Sequence, residues 1–417
     1  MLVRVTIDQA NRHVFAKQHL AAGSRGRNLL PVVRDIGPIR ATPALTPYLS
    51  LWSRIEDFRR EDLETALHDS RSLVRVLCMQ ARLYLLLADE YPVYFQATKP
   101  LLQHGLCDLD DLLSETSNAQ GQDSPMPSYD LAQRVLEILS TRGPCTVDEL
   151  ADLLPLLNAR VLHDPGRPKL GYSRIGTRLI PAMCAEGLLV RAQTRGGWRS
   201  DLWSYTALSS WLPAMDLKSL AHEEALRRVV SSYVAAFGPV TVGDVSYWLG
   251  GLARRQVAAV LMALSDRLVR LQIMGSQGEY FLLKEDLEAL LGEVPAERSV
   301  CLLPPRDSYA MAYSDSGRFL PATYRERVYD RAGEALGTVW ADGYVVGLWW
   351  LHLKEERISV RFFELADPET MALVGEEALR LGRFLEARAL DIEIGSFAED
   401  EWSEEGAPAP LAGMGRP

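Results

Sequence analysis

The sequence predicts an α+β protein of tandem winged-helix (helix-turn-helix) domains followed by a C-terminal β-rich domain. Three observations predict it. A helix, a Gly-Pro break and a Thr-opened second helix occur twice in the chain. Each copy then runs through a third amphipathic helix into two alternating strands joined by a Gly-bearing tip. After residue 293 the pattern turns to strands separated by turn residues.

In the first copy, Val135-Leu136-Glu137-Ile138-Leu139-Ser140 precedes Gly143-Pro144, and Thr146 with Glu149 forms a capping box. In that box each side chain satisfies an orphan N–H at the helix start. The third helix is expected over about Ser173–Glu186, with Ile175, Leu179 and Met183 inward and Arg174 and Arg178 one turn apart on the other side. Its wing is expected to rise through Leu188–Arg191, turn at Thr194–Arg199 and return through Leu202–Tyr205.

The second copy repeats the order. Val229–Tyr233 leads to Gly238-Pro239, and Thr241 with Asp244 makes a weaker capping box. A third helix is expected from about Leu252 to Asp266, with Arg254 and Arg255 at its start. The wing then reads Leu268–Leu271, a tip at Gly275–Gly278, and Tyr280–Leu283. Three helices and a two-stranded wing form a winged helix.

Upstream, Thr6 with Gln9 is a third capping box, opening a helix through about Leu20. Tyr48–Ile55 reads as a buried helix, Arg60–Leu67 as a short one, and Leu73–Cys78 with Leu83–Leu87 as strands. The boundaries read as an N-terminal winged-helix-like domain at 1–113, a polar, Pro-bearing linker at 114–128, winged-helix domains at 129–212 and 213–292, and a β-rich domain at 293–397. An acidic tail at 398–417, expected to be disordered, ends the chain.

Composition narrows the function. The net charge of −10 opposes nucleic acid if read globally, but binding depends on the local field. Residues 160–199 carry eight Lys/Arg against two Asp/Glu, and residues 1–100 carry fourteen against ten. The five cysteines and seven histidines are scattered without metal-ligand spacing, so no metal and no cofactor is expected. No apolar run is long enough to span a bilayer, and the first residues lack a secretory pattern, so a cytoplasmic address and no membrane contact are expected. The expected partner is double-stranded DNA. Arg195, Trp198 and Arg199 at the first wing tip are candidates to follow its backbone or enter its minor groove, although a turn tryptophan also folds back onto its own hairpin.

One stretch carries a family resemblance. Pro47-Tyr48-Leu49-Ser50-Leu51-Trp52-Ser53-Arg54-Ile55, followed by Phe58, Arg60, Asp62, Leu63 and Ala66-Leu67, resembles the N-terminal signature of the AlkZ/YcaQ DNA glycosylases. So do Arg71-Ser72-Leu73-Val74-Arg75, Leu302–Tyr309 and Ala341–Trp349, in the same order, covering about residues 5–395. The resemblance implies three tandem winged-helix units and a β-rich piece around a DNA-sized channel. It also implies excision of bulky N-alkylated purines, crosslinked ones included.

The resemblance places catalysis at Arg40 and Thr42, where the family carries Gln-x-Gln or Gln-x-Asp. Alkylated purines are cationic and depart readily, so the enzyme must stabilise an oxocarbenium-like sugar and hold a water. Arg40 has no acceptor and adds positive charge, while Thr42 can hold a water without a carboxylate's charge. A family Arg-Gly-Thr-x-His motif falls on Gln80–Tyr84, making Arg82 and Tyr84 candidates for DNA contact. Tyr84 is equally a strand aromatic of the core. Asp307 matches the family's C-terminal aspartate, a candidate to face the channel, and is equally a turn cap. The aromatic group Trp340, Tyr344, Trp349 and Trp350 reads as core.

Three readings follow: a glycosylase with a divergent water-holding site, a catalytically silent DNA-binding protein (a damage sensor or regulator) on the same scaffold, and a scaffold for protein contacts. Pairing of the arginines in residues 160–199 to carboxylates would count against DNA.

Overall fold

The computed structural model describes residues 3–102, 106–111, 113–114, 126–162, 171–292, 297–352, 355–387 and 391–397. The greater part of the expected linker and all of the acidic tail lie outside them. The chain divides into two compact units, Met1–Leu63 with Arg227–Pro417, and Glu64–Leu226.

In the Glu64–Leu226 unit, helices Ser128–Arg142, Val147–Leu153 and Gly176–Ala185 precede the strands Leu189–Arg195 and Leu202–Ala207. Thr146 accepts from Glu149 N–H while the Glu149 side chain accepts from Thr146 N–H, so the expected capping box forms. The third helix starts later than expected. Tyr172–Arg174 is instead a strand, paired antiparallel with Arg160–Leu162, so Arg174 lies outside the helix that carries Arg178. Leu179, Ile180 and Met183 are fully buried, each worth about 1.5–3 kcal/mol by removal from water.

Residues Leu73–Leu77 and Leu83–Leu87 form the expected antiparallel hairpin. That hairpin adds to the first wing's sheet through Arg75 opposite Arg191, and Cys145–Thr146 pairs on the far side with Ser204 and Tyr205.

In the other unit, Val242–Trp248 and Arg254–Ala263 follow the long helix ending at Phe237, and strands Leu268–Ile273 and Tyr280–Leu283 make the second wing. Strand Val3–Val5 extends that wing in parallel. Thr6–Gln9 and Thr241–Asp244 are both complete capping boxes. The second is stronger than its short aspartate suggested. One Asp244 oxygen accepts from Thr241, and the other accepts the N–H and hydroxyl of Ser314.

The C-terminal sheet runs Val300–Leu303, Thr338–Ala341, Tyr344–His352, Arg357–Phe362, Asp391–Ser396. Its last strand is parallel, reached through helix Pro368–Phe384. Asp342 and Gly343 turn the second hairpin with φ of 50° and 85°, the left-handed pair that a two-residue hairpin turn needs. A Cβ on Gly343 would lie 3.1 Å from the Asn11 backbone. Trp340 and Trp349 are buried, and Trp340 stacks on Tyr309 at 4.7 Å.

Candidate functional site

The candidate catalytic positions lie in the unit formed by residues 1–63 and 227–417. Arg40 ends the short strand Ile39–Arg40 and is 2% exposed, while Thr42 is half-buried. Arg40 donates from Nη2 to both carboxylate oxygens of Glu334, at 3.0 and 2.7 Å, and its backbone N–H donates to Ser308 Oγ at 2.9 Å. A guanidinium buried without a counter-ion would be prohibitive, and Glu334 supplies the compensation.

A tight turn presents Glu334. The Asp330 carboxylate accepts from the N–H groups of Ala332 and Glu334, and Gly333 donates back to the Asp330 carbonyl. Arg306 closes the far side, with Nε 3.2 Å from Glu334 and its backbone N–H bonded to the Ala335 carbonyl. The Arg306 backbone is left-handed, with φ of 61°, a conformation costly for an arginine and maintained only where its surroundings demand it. Burial raises the pKa of the Tyr247 phenol. Arg40, Glu334 and Arg325 act on the same group through charge, which puts Tyr247 within electrostatic reach of the cluster.

Asp307, expected at a channel or a turn, is wholly buried. It accepts two bonds from Arg54, at 2.7 and 2.9 Å, one from Ser50 Oγ at 2.6 Å, and one from Tyr309 N–H at 3.0 Å. Its role here is to pin the signature helix Thr46–Trp52, whose seven residues are all buried. With every described acceptor direction used inside the fold, it presents no face to a ligand.

In the other unit, the hairpin tip holds Gln80 and Ala81 in left-handed backbone, with φ of 56° and 53°. Arg82 is exposed beside them. Tyr84 is 3% exposed within strand Leu83–Leu87, so in this conformation the core has it rather than a base.

The arginines of residues 160–199 are partly engaged. Arg174 bonds Asp148 at 2.6 Å, and Arg195 reaches the Pro144 carbonyl at 3.1 Å and Glu149 at 3.4 Å. Arg199 lies 4.7 Å over the Trp198 ring, with both side chains half-buried at the wing tip. Arg178 is half-buried on the third helix. The pairs are largely solvent-exposed and worth at most about 1 kcal/mol, so a phosphate can displace them. The second copy differs. Arg254 and Arg255 are exposed in the first turn of their helix and make no hydrogen bond or ion pair among the described residues.

The sequence reading missed Glu334, Arg306 and Tyr247. Glu334 and Tyr247 sit outside any motif, Arg306 lies within the Leu302–Tyr309 stretch without being singled out there, and only the folding together of three distant segments gathers them. Among the described residues no group of His, Cys, Asp and Glu could hold a metal. No described helix is long and apolar enough to cross a membrane. Cys78, Cys145, Cys184 and Cys301 are buried free thiols, and burial pushes Cys184 up to about 12.

The fold and these basic surfaces define a class, the tandem winged-helix proteins with a C-terminal β-sheet domain. The chain belongs to the DNA glycosylase AlkZ-like family, whose model matches residues 33–384. It is 25% identical over 252 residues to an interstrand DNA cross-link repair glycosylase of Streptomyces sahachiroi, a match spanning 60% of this chain and 64% of that protein. It shares its fold with the solved Streptomyces sahachiroi DNA glycosylase AlkZ, at a TM-score of 0.71 and 21% identity over 94% of this chain and all of that one.

Proposed function

We propose that this protein binds double-stranded DNA carrying bulky N3- or N7-alkylated purines and hydrolyses the N-glycosidic bond of the damaged nucleotide. The observation that carries this reading is the second winged helix. Its third helix presents Arg254 and Arg255, unpaired among the described residues, at an N-terminus whose free N–H groups also favour phosphate. Family membership over residues 33–384 supports the reaction class. Within the Glu64–Leu226 unit, wing residues Arg195, Trp198 and Arg199, with Arg174, Arg178 and Arg82, are DNA contacts of their own in this reading, their weak surface pairs giving way to phosphate oxygens.

A second reading is favoured by Arg40. The position that the resemblance assigns to an acceptor holds a buried cation instead, which suits a catalytically silent DNA-binding protein on the same scaffold. One experiment separates the two. The purified protein is incubated with a duplex bearing a single N7-alkylguanine, and free base and abasic sites are measured. Release supports the glycosylase. Tight binding without release supports the silent form, and the absence of both overturns the DNA reading altogether.

A further inference from the structure

We propose that Glu334 is the catalytic acceptor of this protein, holding the attacking water in place of the side chains absent at positions 40 and 42; the proposal rests on the glycosylase reading above. The chemistry requires an acceptor beside the anomeric carbon. Arg40 has none, and Thr42 has only a hydroxyl. A carboxylate in direct contact with position 40 is that of Glu334, 2.7 Å from the Arg40 guanidinium. The carboxylate therefore stands one side chain's reach from where the resemblance locates the reaction.

Several observations mark this as a built arrangement rather than a chance ion pair. The Asp330 carboxylate and Gly333 form a turn that aims Glu334. Arg306 adopts a left-handed backbone beside Glu334, with its Nε within 3.2 Å. Tyr247, from the second helix-turn-helix, lies within electrostatic reach of Arg40 and Glu334. A pair needed only for folding has no need of a second cation in strained backbone, and strain of that kind gathers at functional positions. Arg306 and the Asp330 turn fix the carboxylate's orientation, as clamps that hold a catalytic group in its working geometry do.

The step balances without a cofactor. The C1′–N bond of a cationic alkylpurine nucleotide breaks, and its electron pair neutralises the departing ring. Water adds to C1′, its proton passes to Glu334 and then to solvent, and an abasic sugar and a neutral base remain.

The test uses the full chain, a duplex with one N7-alkylguanine, and single-turnover release measured beside the Kd for that duplex. Glu334→Gln is expected to slow release about 100-fold or more while Kd stays within about threefold. Because that change strips Arg40 of its partner, Arg40→Met and the double variant Arg40→Met/Glu334→Gln are measured in parallel. Arg40→Met removes a positive charge and is expected to release base at least as fast as the wild type, whereas the double variant is expected to be as slow as Glu334→Gln. If the double variant matches Arg40→Met, Glu334 is a counter-ion only and the proposal is overturned. Release by Glu334→Gln at the wild-type rate overturns it equally. No release by wild type or Arg40→Met overturns the glycosylase reading itself, and this inference with it.

Discussion

Asp307 and Arg54 form a bidentate ion pair in which each side chain is 1% exposed, with contacts of 2.7 and 2.9 Å. Two charges taken out of water in this way repay their desolvation only through each other and their remaining bonds. Removing one partner therefore costs far more than removing both. Asp307→Asn is expected to destabilise the protein by about 3–5 kcal/mol. Replacing both residues by apolar side chains of similar volume should recover much of that loss. Urea midpoints at constant m-value measure it, and a double variant no better than Asp307→Asn would refute the coupling.

Arg254 and Arg255 should contribute to DNA affinity across sequences rather than to base choice. Each change to alanine is expected to weaken binding and lower the slope of log K against log salt by about one. Arg174→Ala should matter less, because Arg174 must first leave Asp148 at 2.6 Å. Fluorescence anisotropy over a salt series makes the comparison. Equal slopes for all variants would place phosphate elsewhere.

Position 42 offers a separate check on the mapped site. Thr42→Ala is expected to lower excision, its hydroxyl assisting Glu334 in holding the water, and Arg40→Gln is expected to raise it by restoring an acceptor and deleting a charge. Abasic-site yield after a fixed time reports both. Wild-type yield from both variants would show that the site lies away from these residues.

Two histidines, His13 buried and His68 half-buried, predict acid sensitivity. Burial lowers His13 and His68 from 6.5 to about 4 in the folded protein. In the unfolded chain they protonate near 6.5, so between those values the unfolded state binds more protons. Stability is thus fully present above pH 6.5 and is lost as the pH falls toward 4. Thermal melts across that window should decline, and His13→Gln should flatten the decline. An unchanged slope in that variant would assign the effect to other groups.

Much of the architecture was legible because it rests on local chemistry. Thr146 with Glu149 and Thr241 with Asp244 start helices through bonds three residues apart, and both boxes form. Hairpin strands alternate, and Asp342-Gly343 turns where only left-handed backbone closes the loop. Arg174 shows the limit. A helical pattern ran through it, yet strand pairing with Arg160 took residues Tyr172–Arg174 out of the helix.

By itself, the sequence determined the capped helix starts, the two wing hairpins of the repeated winged-helix plan and the resemblance now seen as family membership, since these depend on neighbours along the chain. Only the tertiary structure decided what the charged residues do. Asp307 became a buried partner of Arg54, Tyr84 went into the core, and Arg40 met Glu334 from 294 residues away. A charge's role follows from its nearest counter-charge and its access to water, and neither is a property of spacing along the chain.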